Sequence, residues 1–206
     1  MRNWITATLL SLTPLLALGA TGQAVTYTVD GQPYEGYYVS PNAQAPLVLL
    51  IHDWDGLTDY EIKRADMLAE KGYAVFAADL YGKGVRPTEV TDKRQHTGEL
   101  YKDREKMRAL MMGALEAARA KGANTDNAVA MGYCFGGAAV LELARSGVDL
   151  KGFATFHGGL EIPAGQDYTK TKGEILVMHG TADTIVTMDQ FAALAKALEA
   201  AGVKDE

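Results

Sequence analysis

The 206-residue chain has one cysteine, Cys134, so no internal disulfide can staple it. It has four histidines, His52, His96, His157 and His179, and none follows residue 179. Its Lys and Arg form no block, and 20 basic against 26 acidic residues leave a formal charge of −6. Nucleic acid is therefore not an expected partner, since phosphate binding needs clustered cations. No apolar run reaches the ~20 residues that span a bilayer. No cluster with metal-ligand spacing is visible, so neither a metal nor another cofactor is expected.

The apolar run from Ile5 to Leu18 is broken by Pro14, preceded by Arg2 and followed by small residues at Gly19, Ala20, Gly22 and Ala24. This is the pattern of an export signal cut after Ala20 or Ala24. Residues 1–24 are expected to be removed, leaving 25–206 as one domain in the periplasm or outside the cell, without a stable membrane anchor. A retained anchor is the competing reading. Export brings the chain to an oxidising compartment, where a spare thiol is a liability, so Cys134 needs a reason. By itself a lone cysteine reads as a small buried apolar residue.

What the sequence does have is an alternation of strand and helix patterns. Val25 to Val29, the turn dipeptide Asp30-Gly31 and Tyr34 to Val39 form a predicted β-hairpin. The runs Pro46 to Ile51, Tyr73 to Ala78, Ala128 to Met131, Phe153 to Phe156 and Ile175 to Met178 are apolar but for Thr155, as strands buried on both faces of a parallel sheet are. Between them, Thr58 with Glu61 and Thr187 with Gln190 have capping-box spacing, and Leu100 to Ala120 is a long helical stretch stopped at Gly122. The stretch from Tyr81 to His96 reads as an irregular loop. The pattern predicts an α/β fold with a mostly parallel sheet covered on both faces, and ligands at the carboxyl ends of its strands.

Three motifs fall at those ends. Gly132-Tyr133-Cys134-Phe135-Gly136-Gly137 joins a strand to the helical run Ala138 to Arg145 and has the G-x-S-x-G pattern of a nucleophile elbow, with Cys in the serine position. A thiol there sits at a helix N-terminus, whose dipole favours thiolate. Asp183 follows the last apolar run and can orient an imidazole, although Asp is also a common turn former. His52-Asp53-Trp54-Asp55-Gly56 follows the first buried strand, where a backbone N–H of Trp54 can join that of Phe135 in an oxyanion hole. Trp54 as an ordinary surface-loop aromatic is the alternative.

The ordered set His52-Asp53-x-x-Gly56-Leu57, Asp79-Leu80-Tyr81, the elbow at 132 to 137 and His179-Gly-x-x-Asp183 resembles the dienelactone hydrolase family over nearly all of the expected mature chain. The resemblance implies an α/β-hydrolase fold and cofactor-free hydrolysis of a small-molecule carboxylic ester or lactone through a thioester on Cys134. It implies that Asp53 stands where the family has a glutamate partnered with the nucleophile, one methylene shorter. It also implies that Lys83 stands where the family holds the substrate carboxylate with arginine, replacing a bidentate fork by a point charge. A monomer is expected.

The triad order in this fold is nucleophile, acid, histidine, and every histidine here precedes Asp183. His157, after a strand end, is the weak internal substitute. The expectation is a C-terminally truncated hydrolase domain lacking the strand, histidine loop and helix that would follow, with an exposed edge and a tendency to aggregate. The competing function classes are an exported, non-catalytic small-molecule binder on the same scaffold and, last, a redox thiol.

Overall fold

The computed structural model describes residues 20–206. The expected export signal lies outside the described residues except for its last five positions. Two of these, Gln23 and Ala24, pair with Tyr38 and Tyr37. Cleavage after Ala20 would spare that strand, and cleavage after Ala24 would clip it.

The elements run β1 (Gln23–Val29), β2 (Gln32–Val39), β3 (Pro46–Ile51), α1 (Asp59–Ala69), β4 (Ala74–Ala78), α2 (Val90–Lys102), α3 (Arg104–Ala120), β5 (Asn124–Tyr133), α4 (Phe135–Arg145), β6 (Gly152–Phe156), β7 (Glu174–Met178) and α5 (Met188–Ala201). One sheet results, in the order β1-β2-β4-β3-β5-β6-β7. The hairpin strands are antiparallel and β3 to β7 are parallel. This is the mostly parallel α/β sheet of an α/β-hydrolase fold. The apolar runs predicted as central strands are central: every side chain from Leu47 to Ile51 and from Ala74 to Ala78 is buried.

Alternation along each strand sends its side chains to two cores. One face packs Leu49, Phe76, Ala130, Phe153 and Ile175 against α3, α4 and α5. The other packs Val48, Leu50, Val75 and Ala77 against α1, with Val129 and Met131 at its margin. On β7, Leu176 is left 41% exposed. Beside β7 the chain begins a further parallel pairing: Ile175 N–H donates to the Lys204 carbonyl at 2.9 Å, and Glu206 N–H donates to the Ile175 carbonyl at 3.0 Å.

The structure differs from the sequence reading between Tyr81 and Ala120. Only residues 79–89 and Asp103 are irregular there, and α2 takes over the second part of the expected loop, from Val90 on. The long helix expected from Leu100 is two helices broken at Asp103, whose backbone leaves the helical region (φ −114, ψ 80) while its carboxylate accepts from Lys106 N–H to cap α3. Asp competes well for backbone donors, so a charge-rich stretch that reads as one helix can restart at it.

Candidate active site at the carboxyl edge of the sheet

Cys134 lies between β5 and α4 with φ 52 and ψ −115, a conformation a side-chain-bearing residue adopts only under constraint. Close packing imposes it. A Cβ on Gly132 would collide with the Gly136 carbonyl, and one on Gly136 with the carbonyls of Ile51 and His52. The strand, the turn and the helix start thus touch backbone to backbone. Helix α4 begins at Phe135, three residues before the helical run in the sequence, so the sulfur stands at its first turn. Cys134 is half-buried, and the Phe135 N–H reaches the sulfur.

The electrostatics correct the expectation of a thiolate. Burial pushes the Cys134 thiol up, and the carboxylates of Asp53, Asp55 and Asp183 push the same way; the Phe135 N–H only partly opposes them. The helix terminus is outweighed by desolvation and three nearby negative charges.

Asp183 is on the same rim, in the turn after β7. Its Oδ1 accepts from Ile185 N–H at 2.8 Å and Val186 N–H at 2.9 Å, and these bonds hold its carboxyl below the usual range. Among the described residues its other oxygen makes no hydrogen bond. His179 in the same turn is tied by Nε2 to the Val186 carbonyl at 2.8 Å and stacks on Phe191. His157, at the end of β6, is exposed, with φ 41. Among the described residues no histidine hydrogen-bonds to Cys134 or Asp183.

Asp53 is near enough to disfavour the thiolate, yet its Oδ1 accepts from Asp55 N–H at 2.8 Å and no hydrogen bond joins it to the sulfur. The loop it belongs to is clamped from three sides. Tyr81 O–H donates to the Trp54 carbonyl at 3.2 Å. Lys93 reaches down from α2, its Nζ 2.5 Å from Asp55 Oδ1 and 5.3 Å from the centre of the Trp54 ring. The third clamp is His52, fully buried: Leu80 N–H donates to Nε2 at 3.1 Å, so Nδ1 carries the proton and donates to the Asp53 carbonyl at 2.5 Å.

The sequence did not single out His52 in this role. Its signal was the apolar strand ending in a polar ring followed by Asp53. Asp79 is likewise a scaffold residue: its Oδ1 accepts from Tyr81 N–H and Gly82 N–H, and its Oδ2 from Glu35 N–H.

Lys83 is not brought to the cleft. Its ammonium pairs with Glu35 at 2.9 Å and Thr26 at 3.0 Å on the hairpin. The turn after β4, pinned by Asp79, carries Lys83 toward β1 and β2. Aromatic side chains wall the site instead: Tyr81 and Tyr101 both pack on Phe135, with ring centres 5.9 and 5.5 Å away. Among the described residues no group of three or more His, Cys, Asp or Glu is arranged to hold a metal ion, and no helix is long and apolar enough to cross a membrane.

Comparison with known proteins agrees with this architecture. The solved structure of m3DLH superposes with a TM-score of 0.85 at 32% identity, covering 91% of this chain and 80% of that one. That of a dienelactone hydrolase-like promiscuous phosphotriesterase from metagenomic libraries gives 0.84 at 30% identity, with the same coverage. Protein usf of Aquifex pyrophilus is 26% identical over 187 residues, 88% of this chain and 80% of its own length. The model of the dienelactone hydrolase family matches residues 34–206. The chain belongs to the dienelactone hydrolase family.

Proposed function

We propose that the protein hydrolyses a carboxylic ester or lactone of a small molecule, with Cys134 as nucleophile and Asp183 as the carboxylate of the triad. The observation that carries this reading is the strained half-buried cysteine at the start of α4, on the same rim as Asp183.

In this reading the sulfur attacks the substrate carbonyl and an imidazole oriented by Asp183 takes the thiol proton. The carbonyl oxygen becomes an oxyanion facing the N–H groups of Trp54 and Phe135. Collapse expels the alkoxide, which takes the proton back, and leaves a thioester on Cys134. Water, deprotonated by the same imidazole, then releases the acid and restores the thiol.

His52 supports the oxyanion role of Trp54. Its bond to the Asp53 carbonyl fixes that peptide, and in a trans peptide the Trp54 N–H must point the opposite way, away from the buried ring.

The raised thiol makes the free base necessary, because without an imidazole little thiolate forms near neutral pH. The reading therefore requires an imidazole beside Asp183, a place that no histidine among the described residues takes by a hydrogen bond. The test is aryl-ester hydrolysis by the chain alone, with added imidazole, and with a family-like C-terminal extension carrying a histidine. Turnover that rises with either addition and vanishes in Cys134→Ala supports the reading. No gain with either counts against it.

The raised thiol and an Asp183 bonded to backbone N–H groups, with no imidazole on it among the described residues, are also what a non-catalytic binder on this scaffold would show. Such a protein would retain ligands without acylation of Cys134. We further propose export directed by residues 1–24. N-terminal sequencing of protein recovered from a bacterial periplasm tests it: a start at Thr21 or Val25 is expected, and a retained Met1 contradicts it.

A further inference from the structure

Beside the proposed nucleophile, a cleft of about 360 Å³ opens between Tyr101, Arg104, Ala138, Leu160 and Val186. Its walls come from the α2/α3 corner, the first turn of α4 and the loops after β6 and β7, all elements that frame Cys134. Tyr101 joins the two regions: its ring packs on Phe135, and the Arg104 guanidinium lies 5.0 Å from its centre.

The charge at this wall is unbalanced. Glu142 is fully buried on α4 and meets three arginines: Arg108 at 2.6 Å, Arg145 at 2.7 Å and Arg104 at 3.2 Å. Three guanidinium groups face Glu142 and, on the rim of the cleft, Glu161, which leaves one positive charge in excess. Arg145 is itself buried and has every nitrogen engaged, on Glu142, Tyr168 and Gln166. Arg108 occupies the second oxygen of Glu142 through two of its nitrogens.

Arg104 is the member the buried carboxylate does not need. Its Nε donates to the Tyr101 carbonyl and one terminal nitrogen to Glu142. The other terminal nitrogen makes no hydrogen bond among the described residues. A guanidinium with a free fork arm on the wall of a small cleft is suited to an oxyanion.

We propose that Arg104 selects substrates whose acyl or leaving group carries an anionic group, a carboxylate or a phosphate, seated in this cleft. The site lies on the α3 side of Cys134 and does not involve Lys83. The inference rests on the thiol reading above, and its test is built so that the two can fail separately. The background favours a clean result: the chain carries −6 overall and three carboxylates press on the thiol, so an anionic reagent should be repelled unless a local cation receives it.

The experiment compares the rates at which two aryl disulfides, dianionic dithiobis(nitrobenzoate) and neutral dithiodipyridine, modify Cys134 at low salt. In each case the sulfur takes half of the reagent and releases the other half as a chromophoric thiolate or thione. The ratio of the two rates cancels differences in thiol ionisation. Arg104→Gln should lower the anionic-to-neutral ratio about tenfold, the order of one charge-assisted hydrogen bond. Arg104→Lys should restore part of it, and Lys196→Gln on the exposed face of α5 should leave it unchanged. Salt should erode the native preference.

An unchanged ratio in Arg104→Gln, with rapid reaction of the neutral reagent, overturns this inference and leaves the thiol reading standing. Failure of both reagents to modify Cys134 overturns both.

Discussion

The Nδ1–H of His52 and the carbonyl of Asp53 lie 2.5 Å apart, and this contact between neighbours in sequence fixes the peptide that presents Trp54. The ring can serve only while neutral, because its Nε2 accepts from Leu80 N–H. Burial holds its pKa below the ordinary histidine value, against the pull of Asp79 and Asp53 and with that of Arg86. Tyr81 and Phe135 close over it, with ring centres 4.6 and 6.0 Å away. A group whose folded pKa is lowered adds stability above its unfolded pKa, about 6.5 for histidine, and that stability is lost as pH falls below it. The urea midpoint should therefore drop from pH 7.5 to pH 5.5. His52→Leu should flatten this part of the dependence and cost about 1–3 kcal/mol for each buried group left unpaired. An unchanged pH slope in the variant would show that His52 is not the titrating group.

Thiol reactivity should follow the three carboxylates. With Cys134 raised by burial, Asp53, Asp55 and Asp183, its alkylation by iodoacetamide should keep rising with pH past the range where an exposed thiol levels off. Asp53→Asn removes one of the three charges, lowers the thiol pKa and speeds alkylation near neutrality. A slower variant would assign Asp53 the opposite role, that of a base for the thiol.

Gly136 sits where α4 meets the end of β3. A methyl at this position would collide with the carbonyls of Ile51 and His52, which are backbone and cannot rotate away. Gly136→Ala should destabilise the fold by about 1–3 kcal/mol or more, read as a lowered thermal midpoint. It should also loosen the bend that holds Cys134. Gly98→Ala, in open space inside α2, is the comparison without a clash, and should leave the midpoint unchanged or raise it.

Glu142 separates structural from surplus charge. Glu142→Gln leaves three guanidinium groups around a buried neutral amide and should cost about 3–5 kcal/mol by urea titration. Arg104→Gln leaves the carboxylate its two other arginines and should cost far less. Equal losses would mean that all three arginines are required for folding.

The fold was legible where burial is two-sided. Apolar runs such as Leu47 to Ile51 leave little choice but a central parallel strand, and the hairpin was marked by Asp30-Gly31. The elbow was legible because backbone contact forces glycine at Gly132 and Gly136, so a steric demand is written as residue type. The break at Asp103 was not, because a cap within a charged stretch resembles continuing helix.

Two features of the site depend on geometry that sequence does not carry. Lys83 matches a motif by position, but the turn pinned by Asp79 points it to Glu35. The arginines on Glu142 come from α3 and α4, which are separated by a strand, and no local pattern links them. The thiol's raised pKa has the same origin, because the sequence shows the helix terminus but not the convergence of Asp53, Asp55 and Asp183.

In the proposed reaction the sulfur of Cys134 accepts an acyl group at the sheet's carboxyl edge. The most direct measurement is intact mass and peptide mapping after exposure to p-nitrophenyl acetate at mildly alkaline pH. The account predicts one acetyl group per chain, on Cys134, absent from Cys134→Ala and longer-lived without added imidazole than with it. An unlabelled Cys134 in folded protein, with acetyl found only on surface lysines, would contradict it.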